Sequence, residues 1–200
     1  MSDPIVIKDT GADFEREIPP AGPINAVCFK VFNIGAQMTK FGVKQEVCVV
    51  WEVDFRYKTG ELKGKRFMLK QRYTANLGEK SNLRKMLVSW RGRDFDSTDL
   101  KIKGFDIKKV EGRPCLINIV HSTKGEDTYA NVGTVMKLPE NMTPLTVEAP
   151  ADFVPKYIQG LLEKRVASEL SEEDTKIAEK GFNEERPPQR EPTKEEVEIF

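Results

Sequence analysis

The spacing of apolar residues predicts three β-strands in the first 75 residues. Segment 24–37 is rich in β-branched and aromatic residues and alternates in part. Segment 44–57 alternates more clearly and places five apolar side chains on one face at a period of two residues. These side chains are Val47, Val49, Trp51, Val53 and Phe55. Segment 65–75 alternates apolar and basic side chains, and the glycines of KTGELKG predict a turn before it.

A helical period follows the third strand. In residues 79–92, apolar side chains recur at positions i, i+3, i+4 and i+7. They are Leu83, Met86, Leu87 and Trp90. Ser81 is suited to cap the start of this helix, and Gly92 is suited to end it. Residues 93–114 are charged and rich in turn-forming residues, which predicts a loop with short structured pieces.

Two further strands, 115–123 and 128–138, are joined by KGED and predict a β-hairpin. The order of elements is therefore β-β-β-α-β-β. Five strands with one helix between the third and the fourth are typical of the OB-fold, a small Greek-key barrel. An SH3-like barrel lacks the long helix, and a βαβ fold needs helices after most strands. The sequence thus predicts a mainly β protein built on a five-stranded OB-fold barrel.

Composition divides the chain into five regions. An acidic N-terminal segment, residues 1–22, precedes the predicted barrel domain, residues 23–138. Four prolines in residues 139–155 predict an extended linker. Apolar residues at helical spacing predict a helical extension over residues 156–181. Residues 182–200 are charged and nearly without apolar side chains until their tip, which predicts a disordered acidic tail.

Charge is distributed unevenly, although the 200 residues include 32 basic and 32 acidic side chains. Residues 23–138 contain 22 basic and 12 acidic side chains, and therefore have a net charge of +10. Residues 165–200 have a net charge of −5. A basic body with acidic ends favours a polyanionic or acidic partner.

The composition also argues against several classes of protein. No apolar run approaches the ~20 residues that span a bilayer, and the N-terminus lacks the basic-then-apolar pattern of a secretory signal. The widely spaced Cys28, Cys48 and Cys115 are expected to be buried thiols of a reducing compartment. With one histidine and no CxxC pair, no metal site and no other cofactor is predicted. The turns GAQMTKFG and GELKGK do not match a P-loop, and no Ser/His/Asp pattern is evident, so we expect a non-enzymatic, cytoplasmic protein.

The densest cationic stretch, RYKTGELKGKRFMLKQRY, spans residues 56–73 and covers the second strand's end, the turn and the third strand. Cations neutralise phosphates, and interleaved aromatic rings stack on unpaired bases. In OB-folds, oligonucleotides lie on the face of the second and third strands. We therefore predict a nucleic-acid-binding surface here, with two contributors from the first strand. Its residues are Lys30, Phe32, Arg56, Tyr57, Lys58, Lys63, Lys65, Arg66, Lys70, Arg72 and Tyr73.

Two alternatives stay open. The cationic run is also typical of a solvated surface. In either case, Trp51 and Phe67 are expected in the core, and Trp90 is expected to anchor the helix on the barrel. The whole chain is also compatible with an OB-fold protein-interaction module that does not bind nucleic acid. Self-association stays open as well.

Three stretches within residues 20–140 carry a resemblance to a known group of proteins. They are YTANLGEKSNLRKMLVSWRGRDF, GFDIKKVEGRPCLINIVH and TYANVGTVMKLP. The chain resembles small bacteriophage and prophage proteins that are generally taken as OB-fold, single-stranded-DNA-binding-like replication or recombination proteins. The resemblance implies a phage-encoded, sequence-independent single-stranded DNA-binding protein.

The last six residues, EEVEIF, resemble the acidic tip of bacterial single-stranded DNA-binding proteins. That tip docks on replication and repair enzymes, and it can compete with DNA for the basic groove. The bacterial tip has a proline before its final phenylalanine, where this chain has isoleucine. The resemblance implies a partner-recruiting tail, whose acidic and apolar residues are Glu195, Glu196, Glu198, Ile199 and Phe200.

Overall fold

Five antiparallel strands form the framework of residues 17–165, the part of the chain described by the structure, a computed structural model. The strands are β1, Gly22–Thr39; β2, Gly42–Arg56; β3, Arg66–Thr74; β4, Pro114–Lys124; and β5, Asp127–Met136. The sheet order is β3-β2-β1-β4-β5, so the long β1 lies in the middle and pairs with both β2 and β4. The predictions of a mainly β protein and of these five strands are confirmed.

Three short α-helices accompany the sheet in the described part of the chain. They are α1, Asn82–Arg91; α2, Ser97–Lys103; and α3, Lys156–Glu163. A 3₁₀ turn, Ile107–Val110, follows α2 in the loop that was expected to hold short structured pieces. As predicted, α1 lies between the third and fourth strands in the chain.

Both predicted ends of α1 are confirmed. The Ser81 hydroxyl oxygen accepts a hydrogen bond from the backbone N–H of Arg84 at 3.3 Å. At the other end, Gly92 has a φ of 69° and donates its N–H to the carbonyl of Val88. Glycine adopts this left-handed conformation without a steric penalty, which explains why the helix ends there.

The first core lies between the inner face of the sheet and α1. It includes the apolar face predicted for β2 and the apolar stripe predicted for α1. Trp51 and Trp90 are buried there with ring centroids 6.3 Å apart, and the indole N–H of Trp90 donates to the carbonyl of Pro114 at 3.1 Å. The expectation that both tryptophans are core residues is confirmed.

The sheet is bent so that its two ends approach each other. Register shifts in β1, between Cys28 and Lys30 and between Asn33 and Gly35, are irregularities of the β-bulge type that bend a strand. Cα atoms of β3 and β5, the outermost strands of the order, come within 8 Å of each other. Helix α1 lies near both of these strands.

A second core lies on the outer face of β1 and β2. Its buried residues are Phe29, Phe32, Ile34, Cys48, Val50, Ile158 and Leu161. The last two come from α3, and they are 0% and 7% exposed. Strand β2 is therefore buried on both faces along most of its length.

Residues 143–163, which we call the strap, cover this outer face. The strap contains most of the segment predicted as a linker, followed by α3. Leu145, Val147 and Ala149 are half-buried, whereas the residues between them are exposed, which is the alternation of an extended segment lying on a surface. Helix α3 begins at the predicted position, and of its apolar residues Ile158 and Leu161 are buried, whereas Tyr157 and Leu162 are 40% and 39% exposed. Residues 1–16 and 166–200, with the rest of the predicted helical extension and the tail, lie outside the described residues.

The three cysteines are buried and unpaired, as predicted. Burial raises the pKa of each thiol, in the case of Cys48 to about 11. Because the thiolate is the reactive form, these side chains act as small apolar core residues.

Candidate nucleic-acid interface

Arg56 and Arg66, two of the predicted phosphate contacts, hold a carboxylate of the strap. The guanidinium of Arg56 donates to both carboxylate oxygens of Glu148, at 2.9 and 2.6 Å. Arg66 Nη2 lies 2.8 Å from Glu148 Oε1, and its Nη1 donates to the carbonyl of Thr146 at 2.6 Å. The hydrogen bonds from Arg56, together with the charge of Arg66, lower the pKa of Glu148.

A buried carboxylate on β2 holds the backbone of the strap. Glu52 is 1% exposed and accepts hydrogen bonds from the N–H of Glu148 at 3.0 Å and of Ala149 at 2.8 Å. Arg66 Nη1 is 3.5 Å from the same carboxylate. Because a buried carboxylate needs charged or hydrogen-bonded partners, Glu52 and the strap stabilise each other.

Three more predicted cations on the sheet face also meet the strap. Lys30 Nζ donates to the carbonyl of Ala151 at 2.7 Å. Lys70 Nζ lies 4.3 Å from the ring centroid of Tyr157, and the charge of Arg72 acts on the phenol of the same tyrosine. The strap thus covers the outer face of β1, β2 and β3.

The predicted stacking residues Phe32, Tyr57 and Tyr73 are at least half-buried. Phe32 is 9% exposed inside the second core. The ring of Tyr57 has its centroid 5.3 Å from that of Phe67. Tyr73 packs against the first core, and burial raises the pKa of its phenol. Base stacking on Phe32 would therefore require the strap to leave.

The turn between β2 and β3 keeps the other predicted lysines at the surface. Lys58, Lys63 and Lys65 are exposed. Backbone hydrogen bonds between Tyr57 and Gly64, at 2.8 Å, and between Tyr57 and Lys65, at 3.1 Å, hold the turn. We call residues 56–66 the basic hairpin.

The basic hairpin also binds a carboxylate from the N-terminal side of the chain. Glu17 accepts hydrogen bonds from the N–H of Lys58 at 2.6 Å and of Thr59 at 2.8 Å. It also accepts one from the Thr59 hydroxyl. These hydrogen bonds, that of the hydroxyl foremost, lower the pKa of Glu17.

An open groove of about 830 Å³ lies near the opposite ends of β2 and β3. Its basic side chains are Lys44, Arg72 and Lys80, of which the two lysines are exposed. The acid Glu46 also lines the groove, but it accepts a hydrogen bond from Arg72 Nε at 2.8 Å. The remaining lining residues are mostly polar: Gln71, Tyr73, Thr74, Asn76, Gly78, Glu79, Ser81, Asn82 and Leu83.

The turn between β1 and β2, on the same hairpin as Lys44, exposes an aromatic ring. Phe41 is 59% exposed, and Lys40 Nζ lies 4.9 Å from its ring centroid. Met38, next to the last residue of β1, is 67% exposed. We call residues 38–41 the hairpin tip. Sequence reasoning missed it because GAQMTKFG was interpreted only as a glycine turn. An aromatic residue beside a lysine in a turn, where no core can bury it, is the signal that could have found it.

Protonation of Glu148 is expected to loosen the strap. Its pKa is lowered from 4.5 in the folded protein, so its stabilising contribution is present above that value and is lost as the pH falls through the lowered pKa. The difference in free energy of unfolding between the natural protein and Glu148→Gln should shrink between about pH 6 and about pH 3. Denaturant titrations at both pH values measure it. Glu140→Gln, at an exposed position outside the strap, is the control. A difference in free energy of unfolding for Glu148→Gln that stays constant with pH would contradict the expectation.

Among the described side chains of residues 17–165, no three His, Cys, Asp or Glu residues are grouped as a metal ion would require. In the same range, no helix has the length and apolar character needed to cross a bilayer. The residues predicted to recruit partners, Glu195, Glu196, Glu198, Ile199 and Phe200, lie outside the described residues.

No protein-family model matches the chain, and no curated protein matches it either.

Proposed function

We propose that the protein is a non-catalytic single-stranded DNA-binding protein whose binding surface is the groove together with the hairpin tip. The observation that carries this proposal is the exposed ring of Phe41, with Lys40 over it, on the hairpin whose Lys44 lines the groove. Exposed rings stack on unpaired bases, and nearby cations neutralise phosphates. Neither interaction reads the base edges, so binding is independent of sequence.

The proposal includes an OB-type barrel. Its support is the central β1, which pairs with both β2 and β4, the approach of β3 to β5, and the position of α1 between the third and fourth strands. In the OB-fold, the loop between the first two strands borders the oligonucleotide site. The hairpin tip is that loop in this chain.

The biological setting is the part of the proposal that rests on resemblance. Action in bacteriophage DNA replication or recombination, in the host cytoplasm, follows from the three stretches that resemble phage and prophage proteins. Recruitment of replication or recombination proteins by Glu195–Phe200 follows from the similarity to bacterial tails.

Titration of labelled oligo-dT at increasing salt concentration tests the function. We expect the logarithm of the binding constant to fall linearly with that of the salt concentration, by about 0.7 per neutralised phosphate of a single strand. Duplex DNA should compete weakly, because its bases are not available for stacking. Absence of binding, or binding without a salt dependence, would overturn the proposal and favour the protein-interaction module.

A further inference from the structure

The basic hairpin holds two oxyanions, and both come from flanking parts of the same chain. At the first position, two consecutive backbone N–H groups and one hydroxyl surround the carboxylate of Glu17. Successive N–H groups that point into one concavity form an anion site, and phosphate oxygens suit such donors as well as carboxylate oxygens do. The turn thus has a built-in site for an oxyanion, independent of which side chain fills it.

At the second position, the guanidinium of Arg56 binds the carboxylate of Glu148 through two hydrogen bonds. The guanidinium fork binds phosphate with the same two-point geometry. Arg56 also donates to the carbonyl of Gly64 at 2.7 Å, which ties this position to the turn that carries the first one. Its side chain is 47% exposed, so a ligand from solvent can reach it.

The positive charge of the basic hairpin is only partly neutralised, which favours a more highly charged anion at both positions. Residues 56–66 contain five cations and one acid, so they have a net charge of +4, and the two flanking carboxylates neutralise only half of it. Three of the cations, Lys58, Lys63 and Lys65, are exposed around the turn. A phosphodiester backbone supplies anions in series, which two separate carboxylates do not.

Exchange of the two carboxylates does not require the core to open. The side chain of Glu148 is 42% exposed, whereas its backbone N–H is held by the buried Glu52. Rotation of the side chain therefore vacates Arg56 while Ile158 and Leu161 keep the strap in place. Glu17 contacts only the surface of the turn through its carboxylate.

We propose that the basic hairpin is a second phosphate-binding site, where Glu17 and Glu148 stand in for phosphodiester groups that a nucleic-acid strand displaces. The site lies at the other end of β2 and β3 from the groove, so a longer strand engages both. That the ligand is a nucleic acid rests on the proposed function. The second site nevertheless predicts an experimental result of its own. Removing either stand-in should strengthen binding, although neither residue lines the groove.

The test compares Glu17→Ala, Glu148→Ala and the double variant with the natural chain. The probe is oligo-dT of about 20 nucleotides, longer than the ~4–16 nucleotides that one OB domain covers. We expect each single variant to bind about threefold to tenfold more tightly, and the salt dependence to steepen by about 0.7 for each phosphate newly bound. Arg56→Gln in the double-variant background should reverse the gain.

Glu61→Ala is the matched control, because it removes one exposed acid from the same hairpin without vacating either oxyanion position. Equal tightening by Glu61→Ala would show that only the general field matters and would overturn the second site. Unchanged affinity in all variants would overturn it too. In both cases, salt-dependent binding by the natural chain would leave the proposed function standing, whereas absence of oligo-dT binding by every variant would remove both.

Discussion

Replacing Ile158 with alanine is expected to lower the free energy of unfolding by about 2–5 kcal/mol. This side chain is 0% exposed and lies in the second core, between α3 and the outer face of β1 and β2. Truncation removes buried apolar surface and leaves a cavity that surrounding residues fill only in part. Urea denaturation measures the change, with the fluorescence of Trp51 and Trp90 as the signal, because both tryptophans lie in the first core.

The same helix offers a control of the same chemical type. Leu162 is 39% exposed, so Leu162→Ala should change the free energy of unfolding by no more than about 0.5 kcal/mol. A large difference between the two variants identifies the strap as part of the cooperative fold. Similar small effects in both would mean that the strap contributes little to global stability.

Charge reversal in the groove is expected to produce the largest loss of DNA binding. Lys44→Glu and Lys80→Glu together should flatten the salt dependence of oligo-dT binding by about 1.4, which corresponds to two phosphates of a single strand. Phe41→Ala should add a loss of about 5- to 150-fold, because stacking of a base on an aromatic ring contributes roughly 1–3 kcal/mol. Fluorescence anisotropy over a range of salt concentrations separates the two contributions.

Lys108→Glu with Lys109→Glu is the control for the groove variants, since both lysines are exposed on the 3₁₀ turn. It changes the net charge by the same amount at a site outside the groove. Equal losses in both double variants would show that net charge alone governs binding. A loss confined to charge reversal at Lys63 and Lys65 would move the principal site to the basic hairpin.

Much of the fold could be predicted because its signals are local. The period of two in β2 and the helical period of α1 each reflect one buried face, and the sequence shows them directly. Ser81 and Gly92 mark the ends of α1 through contacts three or four residues away. Such short-range contacts can be inferred from neighbouring residues alone, because they do not depend on the rest of the molecule.

The strap was not predicted because its partners are distant in the chain. Arg56 and Glu148 are 92 positions apart, and nothing near either residue marks the pair. Two signals were nevertheless present. Strand β2 has Cys48 and Val50 between the residues of its inner face, which is typical of a strand buried on both faces. The segment LTVEA alternates apolar and polar residues, but the prolines around it favoured the interpretation as a linker.

The cations of the candidate site could be located from the sequence, but their pairing could not. Composition treats Arg66 and Lys65 alike, although the first is 10% exposed and bound to strap groups while the second is exposed. Which cations remain accessible depends on which groups bind the carboxylates of Glu17 and Glu148. For the same reason, the exposure of Phe41 follows from the three-dimensional position of its turn.

The buried amide of Gln37 fixes the position of the C-terminal end of α3. It is 4% exposed and donates to the carbonyl of Leu161 at 3.0 Å, while its strand position pairs with Lys44 of the groove. The carbonyl of Leu161 is therefore held next to the strand position that faces Lys44. One buried amide on β1 thus couples the position of the strap to the edge of the groove.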